Sequence, residues 1–441
     1  MANILLLGAG FVTGPLVEYL HGKNHKITVG SQFLYEAEEL VAGRDGLTPL
    51  QVDVTNEEEL TGLVQKADLV ISFVPFQFHV AVAKICVAQK ISLVTASYTH
   101  EDMWKLDSAA KEAGIIILNE IGVDPGIDHM TAMQVIDEAH EKGLQVEALV
   151  SWCGGIPAPE ANNNPLGYKF SWSPMAVLSA VSNDAHYLRD GKAKEIPGDE
   201  LLNSMRDVTL TKDMELKGYA NRNSLNYKAD YRIPEVKTLL RGTLRYPGFG
   251  PVIAAAKSHG FLSHEPFAAG RPDTWRELSS KLSGVPADLL ESEFSSDSDI
   301  NSNFDWLGCF SDDPVTGDNP IQAFCNLLCE KLKYEADEQD MIVMQHRMIL
   351  VDEQGNKTFH RSTMVEKGDK QGFSAMAKTV GYPAAIAADM ILSGRITRKG
   401  VCIPVTKDIY EPVLTELEKL NISMTEEIIT AQSELSFLNH L

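Results

Sequence analysis

The feature that most constrains this chain is how it begins. Residues 3–7 read NILLL, and Gly8, Gly10 and Gly14 follow at once. An apolar, helix-like stretch then runs from Val12 to Leu20. A strand without polar alternation is buried on both faces, so it belongs in a parallel sheet covered by helices. The pattern then repeats. Residues 26–30 (KITVG), 49–54, 68–74 (DLVISFV), 92–95 and 115–118 read as strands. Residues 36–41, 57–65, 79–89 and 103–113 read as helices between them. This βα alternation predicts an α/β unit over residues 1–125.

After Val123 the texture changes. Residues 130–142 pattern as a helix, and 145–152 alternate like a strand of a different sheet. Residues 154–174 are rich in Gly, Pro, Asn and aromatics, which predicts a long loop of the kind that carries function. Residues 200–335 are mostly helical in pattern, broken by Gly218, Pro234, Pro247 and Gly250, and 293–303 read as a polar surface loop. Residues 341–346 and 357–365 alternate like a hairpin, while 373–392 and 410–420 read as helices.

Composition excludes several classes of function. There are 39 basic and 61 acidic side chains among 441 residues, a formal charge of −22. Nucleic-acid binding needs clustered cations, so it is not expected. A small anion remains compatible, because a few placed arginines override net charge locally. The six cysteines form no CxxC pair. Cys325 and Cys329 lie one helical turn apart and read as small hydrophobes, and His21 and His25 fall in the loop-like HGKNH, so no metal is expected. No apolar run approaches the ~20 residues of a membrane span. The first residues enter a strand without signal-peptide anatomy, which predicts a cytoplasmic protein.

Gly8-Ala9-Gly10-Phe11-Val12-Thr13-Gly14 reads GxGxxxG between a strand and a helix. Gly8 permits a tight turn, Gly10 admits a pyrophosphate, and free N–H groups with the helix dipole hold the anion. That predicts a dinucleotide site, with a generic βα turn that binds no ligand as the alternative. At the end of the second strand an acid would bind the ribose 2′-hydroxyl and an arginine the 2′-phosphate. Here stand Ser31 and Gln32, so NAD and NADP both stay open. Asp53 contacts adenosine or caps the helix before Glu57. Ser97 and Tyr98 follow a strand, at the ligand end of such a sheet. Residues 120–129 (EIGVDPGIDH) gather Asp124, Asp128 and His129 beside chain-bending residues. Asp128 also reads as a cap for a helix from Met130, and His129 as an interior imidazole.

These residues resemble the L-glutamate-forming saccharopine dehydrogenases, also called saccharopine reductases. The resemblance rests on GAGFV, on VTASY ending at Tyr98, on NEIGVDPGIDHM at 119–130 and on SWCGGIPAPEANNNPLGYKFSWSP at 151–174. It continues through NRNS at 221–224, LLRGTLRYPGF at 239–249, YEADEQDMIVMQH at 334–346 and GFSAMAKTVGYP at 372–383. It implies a Rossmann domain, a mixed-sheet substrate domain and a helical insertion. The domains would be 1–125 completed by C-terminal helices about 373–441, then 126–210 with 335–372, and a largely helical 211–334.

The resemblance also implies an enzyme of lysine metabolism, in amino-acid biosynthesis or breakdown. It would interconvert saccharopine with L-glutamate and 2-aminoadipate 6-semialdehyde, using NAD or NADP. Cofactor contacts would come from Gly8, Ala9, Gly10, Phe11, Val12, Ser31, Gln32, Asp53, Val54, Val74, Ala96, Ser97, Val123, Asp124, Pro125 and Ser173. Substrate contacts would come from Ser97, Tyr98, Asp124, Arg222, Thr243, Leu244 and Arg245. Saccharopine carries three carboxylates, which suits planar guanidinium forks at Arg222 and Arg245, with Lys169 and Arg241 as further cations. Imine formation needs proton transfer, for which Asp124 and Tyr98 are the candidates, with His129 and Lys169 behind them. Two departures stand out: Gln32 is neither acid nor base, and Tyr219-Ala220-Asn221 lacks a proline common in the family. Two alternatives are an imine reductase like carboxynorspermidine dehydrogenase, and a nucleotide-binding module without turnover. A homodimer is the base-rate expectation.

Overall fold

The computed structural model describes residues 1–210, 214–267 and 270–429. It separates into two compact units, one of Met1–Leu144 with Gly372–Glu426, the other chiefly of Gln145–Gln371.

The first unit is built on seven strands. Six come from its N-terminal part: β1 (Asn3–Leu7), β2 (Lys26–Ser31), β3 (Leu47–Gln51), β4 (Leu69–Ser72), β5 (Ser92–Val94) and β6 (Ile116–Leu118). The seventh, Gly400–Cys402, arrives from far along the chain. The order is Gly400–Cys402, β6, β5, β4, β1, β2, β3, and every pairing is parallel. The apolar runs form strands because both faces are covered; Leu6, Leu7, Val70 and Ile71 have no exposure at all. The helices between them are α1 (Gly14–Gly22), α2 (Leu34–Val41), α3 (Glu57–Val64), α4 (His79–Gln89), α5 (Glu101–Trp104) and α6 (Asp107–Ala113), followed by α7 (Ile127–Glu141). The chain leaves β1 toward β2 on one side and reaches β4 on the other. That reversal opens a crevice at the carboxyl ends of β1 and β4.

The C-terminal part of this unit contributes a strand as well as helices. Helix Ala375–Leu392 lies on α1, and a Cβ at Gly381 would stand 2.8 Å from the Val12 carbonyl oxygen. The expected second-domain start at residue 126 is corrected. Helix α7 belongs to the first unit, where helix Lys407–Glu418 packs on it and Tyr410 donates to Asp137 Oδ2 at 2.6 Å. The last described strand, Thr425–Ile429, joins the other sheet, and residues 430–441 of the expected C-terminal helices lie outside the described residues.

The second unit holds a mixed sheet. Its strands are β7 (Gln145–Pro157), β8 (Ala185–Arg189), β9 (Lys192–Ile196), β10 (Arg206–Thr209), β11 (Glu215–Ala220), β12 (Thr238–Arg245), β13 (Asp340–Val351) and β14 (Lys357–Lys367). The order β10-β11-β12-β7-β13-β14 is antiparallel except for the parallel β12–β7 pair. Gly218 and Gly242 make room for one ring, since a Cβ on either would come within 2.6 Å of a Trp152 ring atom.

Two expectations fail here. Residues 211–334 are not largely helical throughout, because β11 and β12 lie inside them; among the described residues the helices are Tyr227–Asp230, Phe249–Ser258, Trp275–Ser283, Leu290–Glu293, Ser298–Leu307 and Pro320–Lys331. The polar segment 293–303 is not a loop but runs into helix Ser298–Leu307, capped by Asp297 and burying Ile300, Phe304 and Leu307 at helical spacing. Phe261, Phe294 and Phe324 surround Phe304, with ring centroids 4.5 to 6.4 Å away. No described helix is long and apolar enough to cross a membrane.

Candidate active site

The carboxyl ends of the first sheet carry most of the expected residues. Gly8 ends β1 with φ +108°, and a Cβ there would lie 2.7 Å from the Phe73 carbonyl oxygen. Only glycine fits that backbone. Its N–H donates to the Gly30 carbonyl at 2.7 Å, which fixes the turn. The N–H groups of Ala9, Gly10, Phe11 and Val12 meet no protein acceptor among the described residues. A Cβ at Gly10 would touch nothing within 4 Å, so the space beside Gly10 is open. Unbonded amide donors beside open space at the start of α1 suit a pyrophosphate. The residues present therefore fit a dinucleotide.

The flanking strands add to this end. Ser31 closes β2, is 7% exposed, and donates from Oγ to Glu36 Oε2 at 2.6 Å. Gln32 is exposed, and its carbonyl accepts from Gln51 Nε2 at 3.1 Å. The cap reading of Asp53 is overturned, because Asn56 caps α3 by accepting from the Glu59 N–H at 3.2 Å. Asp53 instead holds Thr55, accepting from its N–H at 2.9 Å and its hydroxyl at 2.6 Å. Those bonds hold its carboxyl below the usual range. Val54 follows β3, Val74 follows β4 and Ala96 follows β5, all half-buried.

Beyond β5 and β6 the chain builds a polar cluster. Tyr98 donates to Asp124 Oδ1 at 2.9 Å, and both are half-buried. The Asp124–Pro125 bond is cis. The segment is clamped from below. Glu120 Oε1 accepts from the Thr99 N–H at 2.9 Å and Oε2 pairs with His129 Nε2 at 2.8 Å. Burial opposes ionisation of Glu120, but the bonds from His129 and Thr99 outweigh it and hold the carboxyl below its ordinary value. His129 has no exposure, so the interior reading is the one its surroundings give. Asp128 does not cap a helix from Met130, because α7 begins at Ile127; it accepts from the Gly126 N–H at 2.6 Å. Val123 and Pro125 are buried in the same turn.

Reading the sequence missed His79. It opens α4, is 3% exposed, and bridges two hydroxyls: Nδ1 to Ser72 Oγ at 2.9 Å and Nε2 to Ser97 Oγ at 2.7 Å. Burial pushes its pKa down to about 4. A neutral ring thus fixes the Ser97 hydroxyl. A lone histidine after a strand carries no spacing signal, so only the fold reveals it.

The remaining expected residues belong to the second unit. Arg245 is 6% exposed, with its guanidinium carbon 5.1 Å from the Tyr168 ring centre and 5.3 Å from that of Phe249. Its Nη1 donates to the Leu244 carbonyl at 2.8 Å. Arg241 is 2% exposed and lies 4.6 Å over the Tyr227 ring. Strand alternation puts Arg241, Thr243 and Arg245 on one face of β12, while Leu240 and Leu244 enter the core. Leu244 therefore offers main chain rather than side chain. Arg222 is exposed, with φ +50°, and its carbonyl accepts from the His186 N–H at 2.8 Å. Lys169 is buried and paired with Glu338, and its Nζ lies 5.8 Å over the Tyr334 ring. Ser173 caps helix Pro174–Ala180, accepting from the Ala176 N–H at 3.4 Å.

Known proteins resemble this chain over nearly its full length. The saccharopine dehydrogenase NADP binding domain matches residues 4–118, and the saccharopine dehydrogenase C-terminal domain matches residues 122–422. The saccharopine dehydrogenase (NADP(+), L-glutamate-forming) of Pyricularia oryzae is 39% identical over 446 residues, covering 97% of this chain and 99% of that protein. The mitochondrial alpha-aminoadipic semialdehyde synthase of Mus musculus is also 39% identical, over 94% of this chain but 46% of that protein, so the chain spans about half of it. The solved saccharopine dehydrogenase (L-Glu forming) of Saccharomyces cerevisiae matches with a TM-score of 0.87 and 36% identity, over 97% of this chain and 100% of that one. With family models covering nearly its full length, the chain belongs to the saccharopine dehydrogenase family of oxidoreductases.

Proposed function

We propose that the chain interconverts saccharopine with L-glutamate and 2-aminoadipate 6-semialdehyde, using a nicotinamide dinucleotide. The observation that carries this reading is the Tyr98–Asp124 hydrogen bond of 2.9 Å, at the same end of the sheet as the open glycine turn. A proton-handling pair at the cofactor end of the sheet is what reductive joining of an amine to an aldehyde requires. The dinucleotide, when bound, supplies the hydride.

The chain's own residues do the rest. In the reducing direction the Asp124 carboxylate takes a proton from the glutamate ammonium, freeing the amine to attack the aldehyde. A proton passes from the attacking nitrogen to the new alkoxide, and the carbinolamine so formed then loses its hydroxyl, with one further proton, as water. Tyr98 donates that proton from its phenol and regains one from Asp124, its hydrogen-bond partner. The carboxylate left behind faces the developing iminium cation and stabilises it. The iminium carbon accepts the hydride, giving the secondary amine. Ser97, fixed by His79, holds a hydroxyl beside this pair. Arg245 and Arg241 present planar forks that suit the carboxylates of saccharopine, and the aromatic faces beneath them fix the guanidinium planes. His129 and Lys169 act as positioning groups, the first through Glu120 and the second through Glu338.

The test follows cofactor oxidation by the purified chain with 2-aminoadipate semialdehyde and glutamate. The expected result is a rate that requires both. A rate indifferent to glutamate, or none with either NADH or NADPH, would remove the proposal.

A further inference from the structure

We infer that Glu36 makes this chain select NAD(H) over NADP(H), against the NADP(+) in the name of its Pyricularia oryzae relative. The inference rests on the dinucleotide reading above. It concerns the end of β2, where the adenosine ribose of a bound dinucleotide lies in sheets of this order. Position 32 carries an uncharged glutamine, yet a carboxylate reaches this strand end from further along. Glu36 sits in the first turn of α2, and its Oε2 accepts from Ser31 Oγ at 2.6 Å. Ser31 Oγ also accepts from the Phe33 N–H at 3.3 Å, which holds the hydroxyl in register with the carboxylate. The acid five residues on thus brings its carboxylate to the last residue of β2, one position before the place of the usual acid.

The segment SQFLYE, residues 31–36, contains no Lys or Arg. Among the described residues no cationic side chain pairs with Glu36. Arg44, the first cation beyond α2, donates instead to the carbonyls of Val41 and Leu40, at 3.2 and 2.9 Å. A ribose with a free 2′-hydroxyl donates a hydrogen bond to the carboxylate. A 2′-phosphate has no proton to give at neutral pH, brings up to two negative charges and finds no guanidinium. Gln51 Nε2 is engaged with the Gln32 carbonyl, so that amide is not waiting for a phosphate either.

The test is equilibrium binding of NADH and of NADPH to the full chain, read by calorimetry or by nicotinamide fluorescence without substrate. NADH should bind about 30-fold or more tighter. Glu36→Gln keeps an acceptor for Ser31 and removes the charge; it should narrow the preference to within about threefold, chiefly by strengthening NADPH. Gln32→Arg with Glu36→Gln should reverse the preference. Unchanged melting temperatures without cofactor show that both variants fold, and Ser31→Ala provides a second probe, which should weaken NADH more than NADPH. Equal binding of the two dinucleotides by the parent chain, or tighter NADPH, overturns the inference and leaves the dinucleotide reading intact. Absence of saturable binding by either overturns both.

Discussion

At the carboxyl ends of β1, β2 and β4 the groups presented to a ligand are mostly main chain: four amides without protein acceptors and a glycine that no side chain could replace. The groups proposed for substrate on β12 are instead side chains, Arg245 set against two aromatic rings and Arg241 against one. A backbone-built site tolerates drift in residue type, which is why GxGxxxG and Gln32 are compatible with dinucleotide binding, but it does not tolerate a Cβ at Gly8. A side-chain site behaves in the opposite way. Its strand could carry many sequences, and its grip on a carboxylate would weaken with the loss of one guanidinium. The polar cluster at Tyr98 and Asp124 lies between these extremes, with reactive side chains held by a turn that is itself clamped at Glu120.

The sharpest way to break this comparison is at Asp124. Asp124→Asn retains shape and removes the base. It should lower kcat/KM by about 10²- to 10⁴-fold while dinucleotide affinity changes little. Loss of dinucleotide binding instead would mean that Asp124 serves the cofactor turn. Next comes Arg245→Ala, expected to raise the substrate KM by roughly 10- to 200-fold, from about 1.5–3 kcal/mol for a charge-assisted contact. Arg245→Lys should recover only part of this, because an ammonium lacks the fork and the flat face. An unchanged KM in the alanine variant would make Arg245 a structural residue stacked on Tyr168 and Phe249.

The two regions also differ in how far the sequence reveals them. β1 to β6 pair through short βα units, so a local apolar run and a local glycine turn already locate Gly8, Ser31, Ser97 and Asp124. In the second unit β7 pairs with β13, setting Val150 opposite Arg347. Local patterning carries no trace of that pairing. Nor does it tell the short apolar run LLRGTLR from helix, which is why β12 was absorbed into an expected helical insertion. The helix Ser298–Leu307 did leave a trace in Ile300, Phe304 and Leu307, masked by the polar residues between them. The partner of Lys169, Glu338, stands 169 residues further along the chain, so no local pattern announces that pair. Glu36 stands five residues past the end of β2, whereas the usual acid stands one residue past it, so its position carries no local signal.

His79 sharpens the comparison from within the first unit, because it is a side chain doing what backbone does elsewhere there. Its pKa falls from 6.5 to about 4 on burial. The folded value lies below the unfolded one, so as pH drops the unfolded chain takes the proton first. The stability present above pH 6.5 is therefore lost progressively between 6.5 and about 4. At about pH 5 the loss from this group is about 2 kcal/mol. His79→Gln keeps polar atoms for Ser72 and Ser97 but has no proton to gain. Denaturant unfolding of both proteins from about pH 7 down to 5 should show the parent losing about 2 kcal/mol more than the variant. Measuring the difference cancels the carboxylates that titrate in both. Parallel curves would mean the imidazole finds a way to carry charge in the folded state. The Ser72–His79–Ser97 bridge would then be a conducting link rather than a fixed one, and Ser97 would join Tyr98 as a proton donor instead of a positioned hydroxyl.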